Sequence, residues 1–195
     1  MTVEATARVV EGRLAAGELS CPDCGGVLAR WGWGRLRRLR GPVGVVEVRP
    51  RRARCGSCRV THVLLPASLL VRRADVVELV GAGLELAAFG WGHRRIADRL
   101  DRPVSTVRGW LRCWSRRAGR VAGVFTSLLV ALADDPVVVL PAPAVSPFAD
   151  AVAAVVGFAF AARTRLGMVT APTWALVSAA CHGRLLAPGW PPPAS

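Results

Sequence analysis

Between Ala74 and Ala88 the apolar residues Val76, Val77, Leu79, Val80, Leu84, Leu86 and Ala87 recur at the three- and four-residue spacing of one helical face, and Phe89-Gly90-Trp91-Gly92 ends the run. A second, shorter helix is predicted from about His93 to Leu100, with Ile96, Ala97 and Leu100 on one side and Arg94, Arg95 and Arg99 off it. Asp101-Arg102 then reads as a turn, and Pro103 suits the first position of the next helix, where its missing N–H costs nothing. In that third helix Val107, Trp110, Leu111 and Trp114 fall at i, i+3, i+4 and i+7 and form an apolar seam, and Arg108, Arg112 and Arg116 repeat every four residues as a stripe beside it.

Ahead of Pro66 the pattern is strand-like. Val43, Val45, Glu47-Val48 and Arg49 alternate, and Leu28 to Trp33 and Leu36 to Arg40 are expected to pair with that strand across Gly32, Gly34 and Gly41-Pro42. Ala5 to Leu14 reads as a short amphipathic helix. Beyond position 120 the chain is apolar and interrupted by Pro136, Pro141, Pro143, Pro147 and Pro172, which leaves room for three short helices at Val121–Ala133, Phe148–Ala162 and Thr173–Cys181 and a frayed, proline-rich tail over Gly189–Ser195. The apolar run Ala151–Ala162 is well short of the roughly 20 residues that span a bilayer, so a buried helix is expected there and no membrane partner.

Four of the six cysteines form two C-x2-C pairs, Cys21-Pro-Asp-Cys24 and Cys55-Gly-Ser-Cys58. Each pair is a tight turn that aims two thiolates at one point, and two such turns supply the soft donors of a closed tetrahedral site, which points to one structural Zn2+. A closed site has no open position for substrate, so the metal stabilises the fold and does not catalyse. The competing reading, a redox dithiol, calls for one pair in a βαβ context. His62 could replace one thiolate or could simply close the ribbon as a polar residue. Cys113 and Cys181 have no partner at ligand spacing and read as small buried hydrophobes.

Charge changes the picture further. The net charge of +13 is carried by arginine alone, and 21 of the 26 arginines lie between residues 30 and 120 against 6 acidic residues there. The absence of Lys, Asn, Gln and Tyr fits a GC-rich genome, which explains arginine over lysine but not its segregation. A domain-wide excess of this kind is the footprint of a polyanion, most often nucleic acid. With acidic residues at Glu4, Glu11 and Glu18 and no apolar core run, the N-terminus does not resemble a signal peptide, and a reducing cytoplasm is the expected compartment.

Together these features describe what a helix-turn-helix needs: a helix held by its seam, with basic side chains free to enter a major groove about 12 Å wide. Ser105 and Thr106 fall in the first turn, where hydroxyls and N–H groups suit a phosphate. Gly109 weakens the helix, which makes sense if close backbone approach is wanted on the exposed face. Arg108 and Arg112 are the candidates for base edges, because the guanidinium fork matches O6 and N7 of guanine. Arg94 and Arg95 are candidate phosphate contacts, and Arg102 and Arg116 are further candidate DNA contacts. A solvated face on an ordinary three-helix bundle is the bland alternative.

The segment from Arg94 to Leu100, followed by Arg102-Pro103-Val104-Ser105-Thr106-Val107-Arg108-Gly109-Trp110-Leu111, resembles the helix-turn-helix near the N-terminus of bacterial insertion-sequence transposases, several of which carry a cysteine ribbon ahead of it. The whole chain is also similar to small actinobacterial helix-turn-helix proteins of the same layout. The resemblance implies that the four cysteines are ligands and that the helix from Ser105 to Trp110 reads DNA. Transposases of this kind carry a catalytic fold with widely separated acidic residues; here only Asp134, Asp135 and Asp150 follow position 120, so no catalytic residues are assigned.

The expected fold class is mixed, mainly α: an N-terminal helix (1–20), a small β zinc ribbon (21–66), a trihelical helix-turn-helix (74–119) and a C-terminal helical extension (120–195). The expected partner is double-stranded DNA, with a nucleoid-associated location, a possible homodimer and no small-molecule substrate. A zinc-ribbon module for protein or RNA, with Trp31 and Trp33 stacking bases, is the alternative, and a non-catalytic transposase subunit or remnant is a further one.

Overall fold

The computed structural model describes residues 1–4, 6–133 and 140–192. Strand β1 (Thr2–Val3) and helix α1 (Ala7–Ala15) precede five strands: β2 (Leu28–Trp33), β3 (Arg37–Gly41), β4 (Gly44–Val48), β5 (Arg51–Cys55) and β6 (Thr61–Pro66). Six helices follow: α2 (Val77–Ala88), α3 (His93–Arg99), α4 (Val104–Ser115), α5 (Ala118–Leu132), α6 (Pro147–Leu166) and α7 (Thr173–Ala180). This is the mixed, mainly α layout expected, a small N-terminal sheet followed by helices.

The strand pairing differs from the sequence expectation. Strands β1, β6, β5 and β2 form one four-stranded sheet in that order, and β3 and β4 form a separate hairpin. Leu28–Trp33 therefore pairs with β5, with Leu28 opposite Cys55, and not with the strand around Val45. The reason is the cysteines: each C-x2-C turn abuts one end of this pair, so the two turns meet only if β2 lies beside β5. Gly34 donates its N–H to the Pro50 carbonyl at 2.8 Å, and the hairpin between them is an excursion out of the sheet.

Two apolar cores result. Val3, Val10, Leu14, Leu19, Leu28, Ala53 and Leu64 pack with Cys21 and Cys55 between α1 and the sheet. The larger core joins α2–α4 to α5, α6 and α7 without a break, so the helices beyond position 120 cap the trihelical unit. Leu39 of β3 is 1% exposed and belongs to this second core, which pins the hairpin to the helices.

Helix α2 lies between two tryptophans, and Gly81 makes the approach of one of them possible. A Cβ at Gly81 would stand 2.2 Å from the Trp174 ring, and one at Gly83 would stand 3.4 Å from the Trp110 ring. Glycine inside a helix costs up to about 1 kcal/mol against alanine, and here the loss is offset by two buried indoles, Trp110 and Trp174. Trp174 also donates to Glu85 Oε1 at 2.7 Å, and the Ala175 N–H donates to Glu78 Oε1 at 2.8 Å, so α2 caps α7.

Helix α6 is longer than the apolar run suggested, 20 residues, because its ends carry their own signals. Pro147 stands at the first helical position, Ser146 Oγ accepts from the Ala149 N–H, and Gly167 closes the helix at φ 63°. It is long and apolar enough to cross a membrane by length and composition, yet Ala151, Val155 and Ala159 along one face are fully buried against the other helices. The expected third helix of the trihelical unit starts at Val104, with Pro103 one place earlier, at the N-cap. The proline-rich tail is not frayed as far as it is described: Trp190 packs against Phe125 with ring centroids 6.1 Å apart, and Pro191 is buried. Asp134, Asp135 and residues 193–195 lie outside the described residues.

Candidate metal centre and nucleic-acid interface

The first C-x2-C turn closes on itself through Cys21 N–H to the Gly26 carbonyl at 2.7 Å and Gly25 N–H to the Cys21 carbonyl at 2.8 Å. The second closes through Cys55 N–H to the Val60 carbonyl at 2.9 Å, and Gly56 N–H reaches across to the Val27 carbonyl at 3.0 Å. Gly26 is needed where the turns meet, because a Cβ there would stand 2.5 Å from Ser57 Oγ and 3.0 Å from Cys55 Sγ. The run Cys24-Gly25-Gly26 carries that signal, which the spacing of the cysteines alone does not reveal.

The four sulfurs of Cys21, Cys24, Cys55 and Cys58 all lie within 4.8 Å of one another. Cys21 and Cys58 are 3.7 Å apart and Cys24 and Cys55 3.5 Å apart, close to the edge of about 3.8 Å that a tetrahedron has when the metal–sulfur bond is about 2.3 Å. Cys21 and Cys55 are buried, and Cys24 and Cys58 face solvent. The backbone N–H of Cys58, with that of Ser57, stabilises the Cys55 thiolate and lowers its pKa to about 6. Cys58 moves the other way: the Val60 N–H favours its thiolate, but the neighbouring Cys24, burial, Cys55 and Cys21 outweigh it and push the pKa up to about 12. Four thiols this close do not all ionise unless a cation joins them, and the arrangement is one that could hold a metal ion.

His62 does not join the four-sulfur group. Its Nε2 lies 3.3 Å from Cys21 Sγ alone, and 3.9 Å from Asp23 Oδ2. At that position an Nε2–H would donate to the Cys21 sulfur, the outer partner that orients a ligand. Cys181 is buried, and Cys113 Sγ lies 3.7 Å from the Leu186 carbonyl; both stand apart from the cluster.

In the trihelical unit the seam of α4 is where the spacing put it: Val107, Trp110 and Trp114 are at most 1% exposed, and Leu111 is half-buried. The Trp114 indole donates to the Phe148 carbonyl at 3.2 Å and meets Trp174 edge-on, so the seam is locked by the C-terminal helices. Opposite it Arg108, Arg112 and Arg116 are exposed, as are Ser105 and Gly109, and Thr106 is half-buried. A Cβ at Gly109 would meet nothing within 4 Å, so no contact among the described residues requires glycine there.

The remaining candidate contacts divide. Arg94 and Arg95 on α3 are exposed, and Arg95 lies over the Trp91 ring at 3.7 Å, an arrangement that holds the guanidinium rigid. Arg102 is turned toward its own turn: Nε donates to the Leu100 carbonyl at 3.1 Å, and Nη2 is 4.0 Å from Asp101. Arg117 and Arg120 bond the carbonyls of Ala187 and Pro191 and fasten the tail. On the ribbon Trp33 and Trp31 each carry an arginine over the ring, Arg51 at 4.6 Å and Arg54 at 4.5 Å, so one face of each indole is already covered.

Sequence comparison accords with this geometry. No curated protein matches the chain, and no solved structure matches it. Residues 69–124, from the segment ahead of α2 into the first half of α5, match the family model of a homeodomain-like domain, so the chain contains a DNA-binding part of the helix-turn-helix type.

Proposed function

We propose that this protein binds double-stranded DNA by laying α4 in the major groove, with Arg108 and Arg112 reading base edges and Arg94, Arg95, Ser105, Thr106 and Arg116 holding phosphates. The observation that carries the reading is the exposed stripe of Arg108, Arg112 and Arg116 on a helix whose opposite side is sealed by Val107, Trp110 and Trp114. Among the described residues these side chains have no hydrogen-bond or ion-pair partner, and arginine forks match guanine edges. Arg102, turned inward, bonds its own turn before α4 and is left out of the phosphate contacts.

The metal in this reading is one structural zinc ion held by Cys21, Cys24, Cys55 and Cys58. Four soft thiolates in a closed shell favour zinc, which would supply folding free energy to a ribbon too small to build much core. The activity inferred is binding and not catalysis. The protein would act in a bacterial nucleoid as a transcriptional regulator or as the target-binding part of mobile-element machinery. A homodimer suits two-fold sites, and what supports it is the exposed apolar pair Val156 and Phe160, one turn apart on α6.

Binding to a set of duplexes that differ one base pair at a time tests the base-reading role. Arg108→Ala or Arg112→Ala should cost about 1–3 kcal/mol on the preferred site and blur preference at one position. Arg94→Ala or Arg95→Ala should weaken all duplexes alike and flatten the salt dependence. Uniform loss in the Arg108 and Arg112 variants would overturn the assignment.

A further inference from the structure

The β3–β4 hairpin is built for more than joining β2 to β5. Its register sets Arg38 opposite Glu47, Leu39 opposite Val46 and Arg40 opposite Val45. Side chains alternate across a strand pair, so Leu39, which is buried in the helical core, marks the inner face. The outer face carries Arg38 and Arg40 against the single acid Glu47, Arg35 is exposed just before β3, and Arg49 is exposed just after β4 with its Nε on the Gly34 carbonyl at 3.3 Å. The turn at the end is apolar and unsupported: Val43 is 100% exposed and Val45 66%. The ribbon is anchored through Leu39 on its inner face, which leaves its arginine face and apolar tip to solvent, and its charge is complementary to a polyanion.

The hairpin is also held in register with the helix-turn-helix. Arg40 N–H donates to the Ala74 carbonyl at 2.8 Å, and Val76 N–H returns a bond to the Arg40 carbonyl at 3.0 Å, so Arg40 of β3 lies alongside the residues just ahead of α2. Arg37 donates to the Arg73 carbonyl at 3.2 Å, and Arg40 Nη1 is 3.9 Å from Asp75 Oδ1. Asp75 is 3% exposed. Its carboxylate lies in the field of Arg40, Arg102 and Arg73 together. Arg40 is the ion-pair partner of Asp75, and Arg102, in the turn immediately before α4, acts on that carboxylate only through its field while its own guanidinium bonds the Leu100 carbonyl.

We propose that the β3–β4 hairpin is a second DNA-contacting element, a wing that grips the phosphate backbone beside the groove entered by α4 through Arg35, Arg38 and Arg49, with the Val43 tip against the sugar edges. The inference rests on the DNA-binding reading above and adds to it a separate element and a separate set of contacts. The exposed pair Arg38–Glu47, at 2.7 Å, keeps that guanidinium extended over the outer face until a phosphate replaces the carboxylate. Arg40 positions the wing through Asp75 and is not counted among the phosphate contacts.

The test uses the full-length protein with its metal. In the double variant Arg35→Ala, Arg38→Ala the slope of log affinity against log salt should flatten by about 1.8, which is about 0.9 for each phosphate no longer neutralised, with the order of preferred duplexes unchanged. A photo-crosslinking amino acid in place of Val43 should capture duplex DNA in the complex, and the same group in place of the exposed Val169 should not. Thermal unfolding of each variant checks that the fold is kept. If the double variant keeps the wild-type salt slope, or the probe at position 43 captures no duplex while Arg108→Ala still lowers affinity, the wing is refuted and the α4 reading stands. Capture of single-stranded RNA or of protein in preference to duplex likewise refutes it. Failure of the wild-type protein to bind any duplex removes both readings.

Discussion

Replacing Gly109 by alanine separates what the fold needs from what the groove would need. Gly109 lies inside the 12-residue helix α4, on the exposed side between Arg108 and Arg112. Alanine exceeds glycine by about 0.8–1.0 kcal/mol in a helix interior. No clash opposes that gain, since a Cβ at position 109 meets nothing within 4 Å. Gly109→Ala should therefore stabilise the protein by about 1 kcal/mol, a rise in Tm of about 2–4 °C for a chain of this size. On DNA the sign reverses. If the α4 backbone packs against the groove wall, an added methyl costs about 1–3 kcal/mol, as over-filling a packed contact does, and affinity drops about 5- to 150-fold. Thermal unfolding and fluorescence anisotropy on one duplex measure the two effects on the same sample. A variant that gains stability and keeps wild-type affinity would show that Gly109 does not meet DNA and that the exposed face of α4 is not seated as argued. A variant that loses stability would refute the open geometry at position 109.

Gly81→Ala is the internal counterpart: the new Cβ would drive into the Trp174 ring, displacing an indole that is 2% exposed and bonded to Glu85, so a net loss of about 2 kcal/mol is expected despite the better helix propensity. Denaturant unfolding measures it, and an unchanged midpoint would mean that Trp174 does not lie against α2. Elemental analysis of purified protein should find about one zinc per chain, lost on Cys55→Ser and retained on Cys113→Ser or Cys181→Ser; folded protein without metal contradicts the site. Incubation of plasmid DNA with magnesium or manganese should produce no nicking, and metal-dependent nicking that disappears on Asp150→Ala would show that a catalytic role had been missed.

The parts of this protein legible in its sequence are those whose cause is local. Helical periodicity placed α2, α3 and α4 within a few residues, because a seam such as Val107, Trp110 and Trp114 repeats with the pitch of the helix itself. The C-x2-C turns announced a four-cysteine cluster that could hold a metal ion for the same reason, since each pair of donors is preset by one turn. Other features were settled by groups far apart in the chain. Nothing in Leu28–Trp33 says that its partner is Arg51–Cys55 and not the alternating run around Val45; bringing two distant cysteine turns together decides it. Leu39 reads as one more alternating residue, and only the packed helices make it the peg that joins hairpin to core. Asp75 has no local mark of burial, yet burial raises its pKa, and it sits among Arg40, Arg102 and Arg73, which come from three different segments. Periodicity records which side of an element avoids water, but the surface that covers that side is chosen by the whole chain, and here that choice sets an arginine-bearing hairpin against the segment that leads into α2.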